Sequence, residues 1–241
     1  MSNAYSTFNR SRRLFWVVAV ALGLLITLLM ATGQQLYSHG DTTREIGADA
    51  YNYVGRIDQD GVNFVGYGYL YDMQGLAPNE LFSNPYNPSE TTAYFTYYAT
   101  ATLSSRAVVT DPVRAIFALD SVGEITFYYQ SYPSASFENP ESFANGTPIA
   151  NASVHFQDIL SVQGPNRGIS VGNGEFAVLT SAPFTFGEET LRFGHPGLVH
   201  QVSTFGDALR TDPIIPQSSV LLAGNAIRSS FPHTFLPSIA R

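Results

Sequence analysis

The chain has no cysteine and no lysine. The first absence removes disulfides, thiolate nucleophiles and Cys-ligated metals together, and leaves a fold that rests on packing alone. The second makes all 12 basic residues arginine. Three of these, Arg10, Arg12 and Arg13, come before the first acid, Asp41. Beyond Gly33 nine arginines stand against nineteen acids, a net charge of −10. A domain this acidic repels phosphate backbones and anionic lipid headgroups, so nucleic acid is excluded as a partner. The 20 glycines follow no three-residue period, no heptads run, and there is no second long apolar segment. Collagen, coiled coil and polytopic membrane protein are excluded with them.

The one long apolar run spans Leu14 to Ala31, LFWVVAVALGLLITLLMA. As a helix it measures about 27 Å, close to the hydrocarbon thickness of a bilayer. Its basic N-terminal flank and the acidic chain after it place everything beyond Gly33 outside the cytoplasm. Ala31-Thr32-Gly33 offers the small residues a signal peptidase reads. Residues 1–33 are therefore expected to be one N-terminal hydrophobic helix, either a signal peptide or a single membrane anchor. The expected location is extracytoplasmic, with membrane contact only through that helix where it is retained. Arg12-Arg13 sits in an ordinary basic leader rather than a twin-arginine signal, since the polar residue usual after the hydrophobic pair is missing.

Residues 34–50 read as a polar tether, or as a short helix near Thr43 to Ala50. Over 51–211 two-residue alternation takes over. From Ala93 to Leu103, Phe95, Tyr97, Ala99, Ala101 and Leu103 share one face while Tyr94, Thr96, Tyr98, Thr100 and Thr102 share the other, as a half-buried strand requires. Val62 to Tyr71 behaves likewise, with Gly66 and Gly68 signalling a bend or a close backbone approach. Val113 to Leu119 and Glu124 to Gln130 are read as two arms of a hairpin around Asp120-Ser121-Val122-Gly123. Further strands are expected at Ala152 to Leu160, Glu175 to Thr180, Phe184 to Phe186, Thr190 to Phe193 and Leu198 to Thr204. Pro133 to Pro148 reads as a long ordered loop with Phe137 and Phe143 as plugs. The expected fold is all-β, an antiparallel sandwich or barrel of about eight or nine strands. Residues 212–241 hold four prolines among many apolar side chains, too oily for a disordered tail, and are expected to pack on the domain or on a partner.

Chemistry is poorly signposted. There is no G-x-S-x-G elbow, and the Glu138/Glu141 and Glu188/Glu189 pairs lie on turn-like segments where carboxylates are normally solvated. His195 and His200 flank Pro196-Gly197, and His155 lies three residues before Asp158. His155 and Asp158 have opposite strand parity and face opposite sides, which argues against a shared metal or catalytic site. Asp58-Gln59-Asp60-Gly61 reads as a turn, and Gly172-Asn173-Gly174 as a hairpin turn rather than a phosphate loop. No catalytic residue, metal ligand or cofactor is assigned.

Aromatics are the one excess, with 14 Tyr and 17 Phe. Tyr67, Tyr69 and Tyr71 share one strand face, and Tyr94 and Tyr98 share another around Thr96. Such rings bury area while their hydroxyls stay wet, which suits a protein interface or stacking on sugars. The alternative is that both rows are buried against other layers. The expected function is a non-catalytic binding or assembly role, with a protein partner or self-association. The alternative is a carbohydrate- or small-ligand-binding module.

Overall fold

The computed structural model describes residues 43–212 and 217–229. The expected N-terminal helix over 1–33, the tether up to Thr42 and the last twelve residues of the C-terminal stretch lie outside those residues.

Eleven strands follow in order: β1 (Arg44–Ile46), β2 (Ala50–Asp60), β3 (Asn63–Met73), β4 (Phe95–Thr110), β5 (Ala115–Tyr129), β6 (Thr147–Gly164), β7 (Arg167–Ser181), β8 (Pro183–Phe186), β9 (Glu189–Phe193), β10 (Val199–Asp212) and β11 (Gln217–Arg228). A one-turn helix, α1 (Pro78–Leu81), and a 3₁₀ turn at Pro140–Ala144 sit in the connections. Eight strands close a barrel in the cyclic order β2-β3-β4-β5-β6-β7-β10-β11, every pair antiparallel. Of the two architectures expected, the barrel is the one formed. A separate sheet, β1-β9-β8, joins the strand that precedes β2 to two strands inserted between β7 and β10.

Strand parity decides what faces inward. On β2 it is Tyr51, Tyr53, Gly55, Ile57 and Gln59; on β4 it is the row Phe95, Tyr97, Ala99 and Ala101 that alternation singles out. Outward rows carry Asp58, Asp120, His155, Glu175 and Asp207 beside exposed apolar side chains, Val122, Ile159, Val171, Phe205 and Leu221 among them.

Several sequence expectations need correction. Instead of a helix near Thr43 to Ala50, Arg44–Ile46 is a strand paired in parallel with β9. Asp120 to Gly123 is no turn but the middle of β5. The two expected arms keep the same parity through Ser121 and Gly123, so they join as one long strand. The hairpin turns instead at Asp111 to Arg114, where Asp111 Oδ1 accepts the backbone N–H groups of Val113 and Arg114 at 3.0 and 2.8 Å. Gly172-Asn173-Gly174 lies within β7, and the turn falls at Asn166, whose φ is 62°. The glycines serve space rather than a turn: a Cβ on Gly174 would sit 2.7 Å from the Phe156 ring. Within the C-terminal stretch, Gln217–Arg228 is the strand that closes the barrel against β2.

One end of the barrel is plugged. Phe193 and Leu191 of β9 are fully buried, and Phe193 stacks on Phe127 with ring centroids 4.5 Å apart. Phe184 of β8 adds an edge against Phe95. Arg44 of β1 clamps this cap from outside, with Glu80 of α1 at 3.0 Å and Glu189 at 2.8 Å.

Candidate functional site: the barrel interior

An eight-stranded barrel is just wide enough either to be filled by its own side chains or to hold one small ligand. This one is not filled. The glycines and alanines on the inward rows, Gly66, Ala99 and Ala101 among them, leave a cavity of about 130 Å³ bordered by Ile57, Leu70, Ile125, Val154, Phe176 and Leu222. That is comparable with the apolar void of about 150 Å³ that accepts benzene in an engineered protein. Toward the open end the lining residues Gln59, Leu119, Leu160, Ala208 and Ser218 are shared with a vestibule of about 840 Å³. Arg106, Arg167 and Arg210 border the vestibule.

At the closed end three tyrosines meet. Tyr51 and Tyr53 follow each other on the inward row of β2, and Tyr97 comes from β4; the Tyr53 and Tyr97 rings meet edge to face at 5.8 Å. Tyr97 finds room because a Cβ on Gly68 would lie 2.7 Å from its hydroxyl. That hydroxyl donates to Val54 O at 3.4 Å. The Tyr51 and Tyr53 hydroxyls are buried with no hydrogen-bond partner. Burial pushes all three phenols up from their ordinary pKa, most strongly at Tyr51 and Tyr97, so each keeps its proton.

Midway along the wall a single carboxyl faces inward. Asp158 of β6 accepts a hydrogen bond from Ser170 Oγ of β7 at 2.7 Å. Burial raises its pKa, against the opposing effect of the Ser170 hydroxyl and the Ile159 backbone N–H. Around it Gln59, Ser121, Thr204 and Ser218 give the outer half of the cavity a polar collar. The interior is thus graded, with neutral phenols at the floor, hydrocarbon above them, and polar groups toward the mouth.

The tyrosines singled out from sequence lie on the outer surface. Tyr67 and Tyr98 are register partners across β3 and β4. Tyr67 is 1 % exposed, sealed beneath Phe137 and Phe143 of the Pro133 to Pro148 loop, with ring centroids 6.0 and 5.4 Å away. Its hydroxyl donates to Asp58 Oδ2 at 2.6 Å. The loop is fastened by Thr96 Oγ1, which donates to Phe143 O at 2.7 Å, and by Gln130 Nε2, which donates to Ser142 O at 3.0 Å. Tyr69 is half-buried against Phe82 and Phe137, Tyr98 is half-buried, and Tyr71 is exposed. Tyr94 packs on Tyr129 and Phe186 at the plugged end. The structure brings Tyr67, Tyr69 and Tyr98 together on one outer face, and the loop covers Tyr67.

The histidines do not converge. His155 reaches Asp120 at 2.9 Å on the outer wall, His195 reaches Glu45 at 2.6 Å on the cap, and His200 donates from Nε2 to Gly47 O and Ala48 O, both at 3.0 Å. Asp158 points away from His155, as their parity requires. Among the described residues no three of His, Asp and Glu gather as a metal site. Sequence reasoning missed Tyr51, Tyr53, Asp158 and Ser170. The signal was present in Tyr51-Asn52-Tyr53-Val54-Gly55-Arg56-Ile57, an alternating run that β2 continues through Asp58, Gln59 and Asp60, so the turn expected over Asp58 to Gly61 falls at Gly61-Val62 instead.

Comparison with protein families, with curated proteins and with solved structures finds no match to this chain.

Proposed function

We propose that this chain is a non-catalytic, extracytoplasmic binding protein whose barrel takes up one small, predominantly apolar molecule. The observation that carries the reading is the unfilled interior: inward glycine and alanine positions leave an apolar cavity that continues into an open vestibule. A barrel selected for rigidity alone gains dispersion energy by filling that space. Location outside the cytoplasm is supported by the basic-flanked apolar run Leu14 to Ala31 and the cysteine-free acidic remainder. An active phosphatase fused after Arg241 is the expected outcome for that location, and a fluorescent cytosolic fusion contradicts it.

The binding reading is tested with the full-length chain and the fluorescent probe N-phenyl-1-naphthylamine. Emission is expected to rise on titration, and Ala99→Phe, which places a ring in the cavity, is expected to abolish the rise while strand content stays unchanged. Equal binding by the wild-type and Ala99→Phe chains contradicts an internal site.

A second reading, self-association, is favoured by the outer wall. Phe205 of β10 is exposed and pairs directly with Val171 of β7, which in turn pairs with Ile159, so three exposed apolar side chains lie in a row. A concentration-independent monomer in light scattering argues against it.

A further inference from the structure

Two phenol hydroxyls, on Tyr51 and Tyr53, are enclosed at the closed end of the barrel with no acceptor. Their rings are 2 % and 5 % exposed and border the cavity. An enclosed donor without an acceptor is costly, and native structures normally explain it by a water or a ligand. Here the missing acceptor has to arrive through the space the rings line.

We infer that the natural occupant is a neutral molecule that enters with a carbonyl oxygen leading, and that the Tyr51 and Tyr53 hydroxyls both donate to that oxygen. This rests on the reading of the interior as a ligand cavity and specifies what fills it. A carbonyl oxygen has two lone pairs and no hydrogen, which matches two free donors. An alcohol brings a hydrogen of its own, which needs an acceptor that two donor hydroxyls do not supply. A carboxylate is disfavoured because no arginine borders the deep cavity and its one ionisable acid, Asp158, is also anionic when charged. Burial keeps the phenols protonated, so they remain donors across the ordinary pH range. The hydrocarbon wall above the floor then takes an apolar body, and the vestibule leaves room for its trailing end.

The test compares three probes on the full-length chain by calorimetry: acetophenone, its alkene isostere α-methylstyrene, and benzoate. Acetophenone is expected to bind roughly tenfold or more tightly than α-methylstyrene, and benzoate more weakly than acetophenone. The carbonyl stretch of bound ¹³C-acetophenone is expected to move to lower wavenumber. In the Tyr51→Phe/Tyr53→Phe double variant, which keeps both rings, ketone and alkene are expected to bind equally and the infrared shift to vanish. Equal affinities in the wild-type chain with an unshifted carbonyl, the result when the hydroxyls hold only water, overturn the carbonyl assignment and leave the cavity reading standing. Tighter binding of benzoate overturns neutrality. Failure of every probe, N-phenyl-1-naphthylamine included, removes the cavity reading itself.

Discussion

Tyr53 and Gly224 are register partners across β2 and β11, and the tyrosine ring occupies the place that a side chain on Gly224 would need. A Cβ there would stand 2.6 Å from Cζ of Tyr53 and 2.7 Å from its hydroxyl oxygen. Gly224→Ala is therefore expected to cost about 1–3 kcal/mol by overpacking. Part of that cost is expected to disappear in a Tyr53→Ala background, with a coupling of about 0.5 kcal/mol or more. Urea unfolding of the four-member cycle measures it, and strict additivity contradicts the contact.

Removing an unpartnered hydroxyl ought to help an empty barrel. Tyr51→Phe and Tyr53→Phe each delete a buried donor without an acceptor while leaving the ring in place. Each is expected to leave ligand-free stability unchanged or to raise it by about 1 kcal/mol. Tyr67→Phe is the contrast. Its hydroxyl gives a 2.6 Å bond to Asp58, and its loss is expected to cost about 1–3 kcal/mol. Chemical denaturation distinguishes the two classes; destabilisation of equal size in all three variants contradicts the assignment.

Asp158 sets one arm of the pH dependence. Burial raises its pKa in the fold, so above the unfolded value of about 3.9 the native state keeps a proton that the unfolded chain has released. Native protons exceed unfolded ones across that window, and stability falls as pH rises from the unfolded value through the folded one. Asp158→Asn, which needs no proton to be neutral, is expected to remove this slope and to be the more stable protein at neutral pH. Unfolding midpoints between pH 4 and pH 7 test it.

His200 acts in the opposite sense. Burial lowers its pKa, and its ring donates to two carbonyls of the chain before β2 while standing edge-on to Tyr51. Below the ordinary value of about 6.5 the unfolded chain takes up a proton that the native ring resists, so stability is full above that pH and is lost as pH falls toward the folded value. His200→Gln retains an N–H donor without the titration. It is expected to flatten the acid limb, at a packing cost visible at neutral pH.

Much of the wall was legible because two-residue alternation needs nothing beyond the strand itself. The inward row Phe95, Tyr97, Ala99 and Ala101 came from β4 alone, and the opposite facing of His155 and Asp158 from parity alone. Boundaries were less legible. Asp120 to Gly123 carries turn-forming residues, yet the pairing of Gly123 with Ala101 on β4 and Val154 on β6 keeps it extended. The tyrosine floor was hidden for a different reason. Tyr67 and Tyr53 both sit on strands with good alternation, and only barrel closure decides that Tyr53 faces the cavity while Tyr67 faces out, beneath a loop brought back from beyond β5. Parity sets Asp158 opposite His155, but only the pairing of β6 with β7 in the closed barrel shows that its side is the interior and brings Ser170 to it.

The most direct test of the account is methyl NMR of the full-length chain titrated with acetophenone. Inward methyls of Leu70, Ile125, Val154 and Leu222 are expected to shift in a saturable manner, while the outward methyls of Ile159, Val171 and Leu221 stay in place. Shifts confined to the outward set, or no saturable shift at any inward methyl, would contradict a ligand-holding barrel.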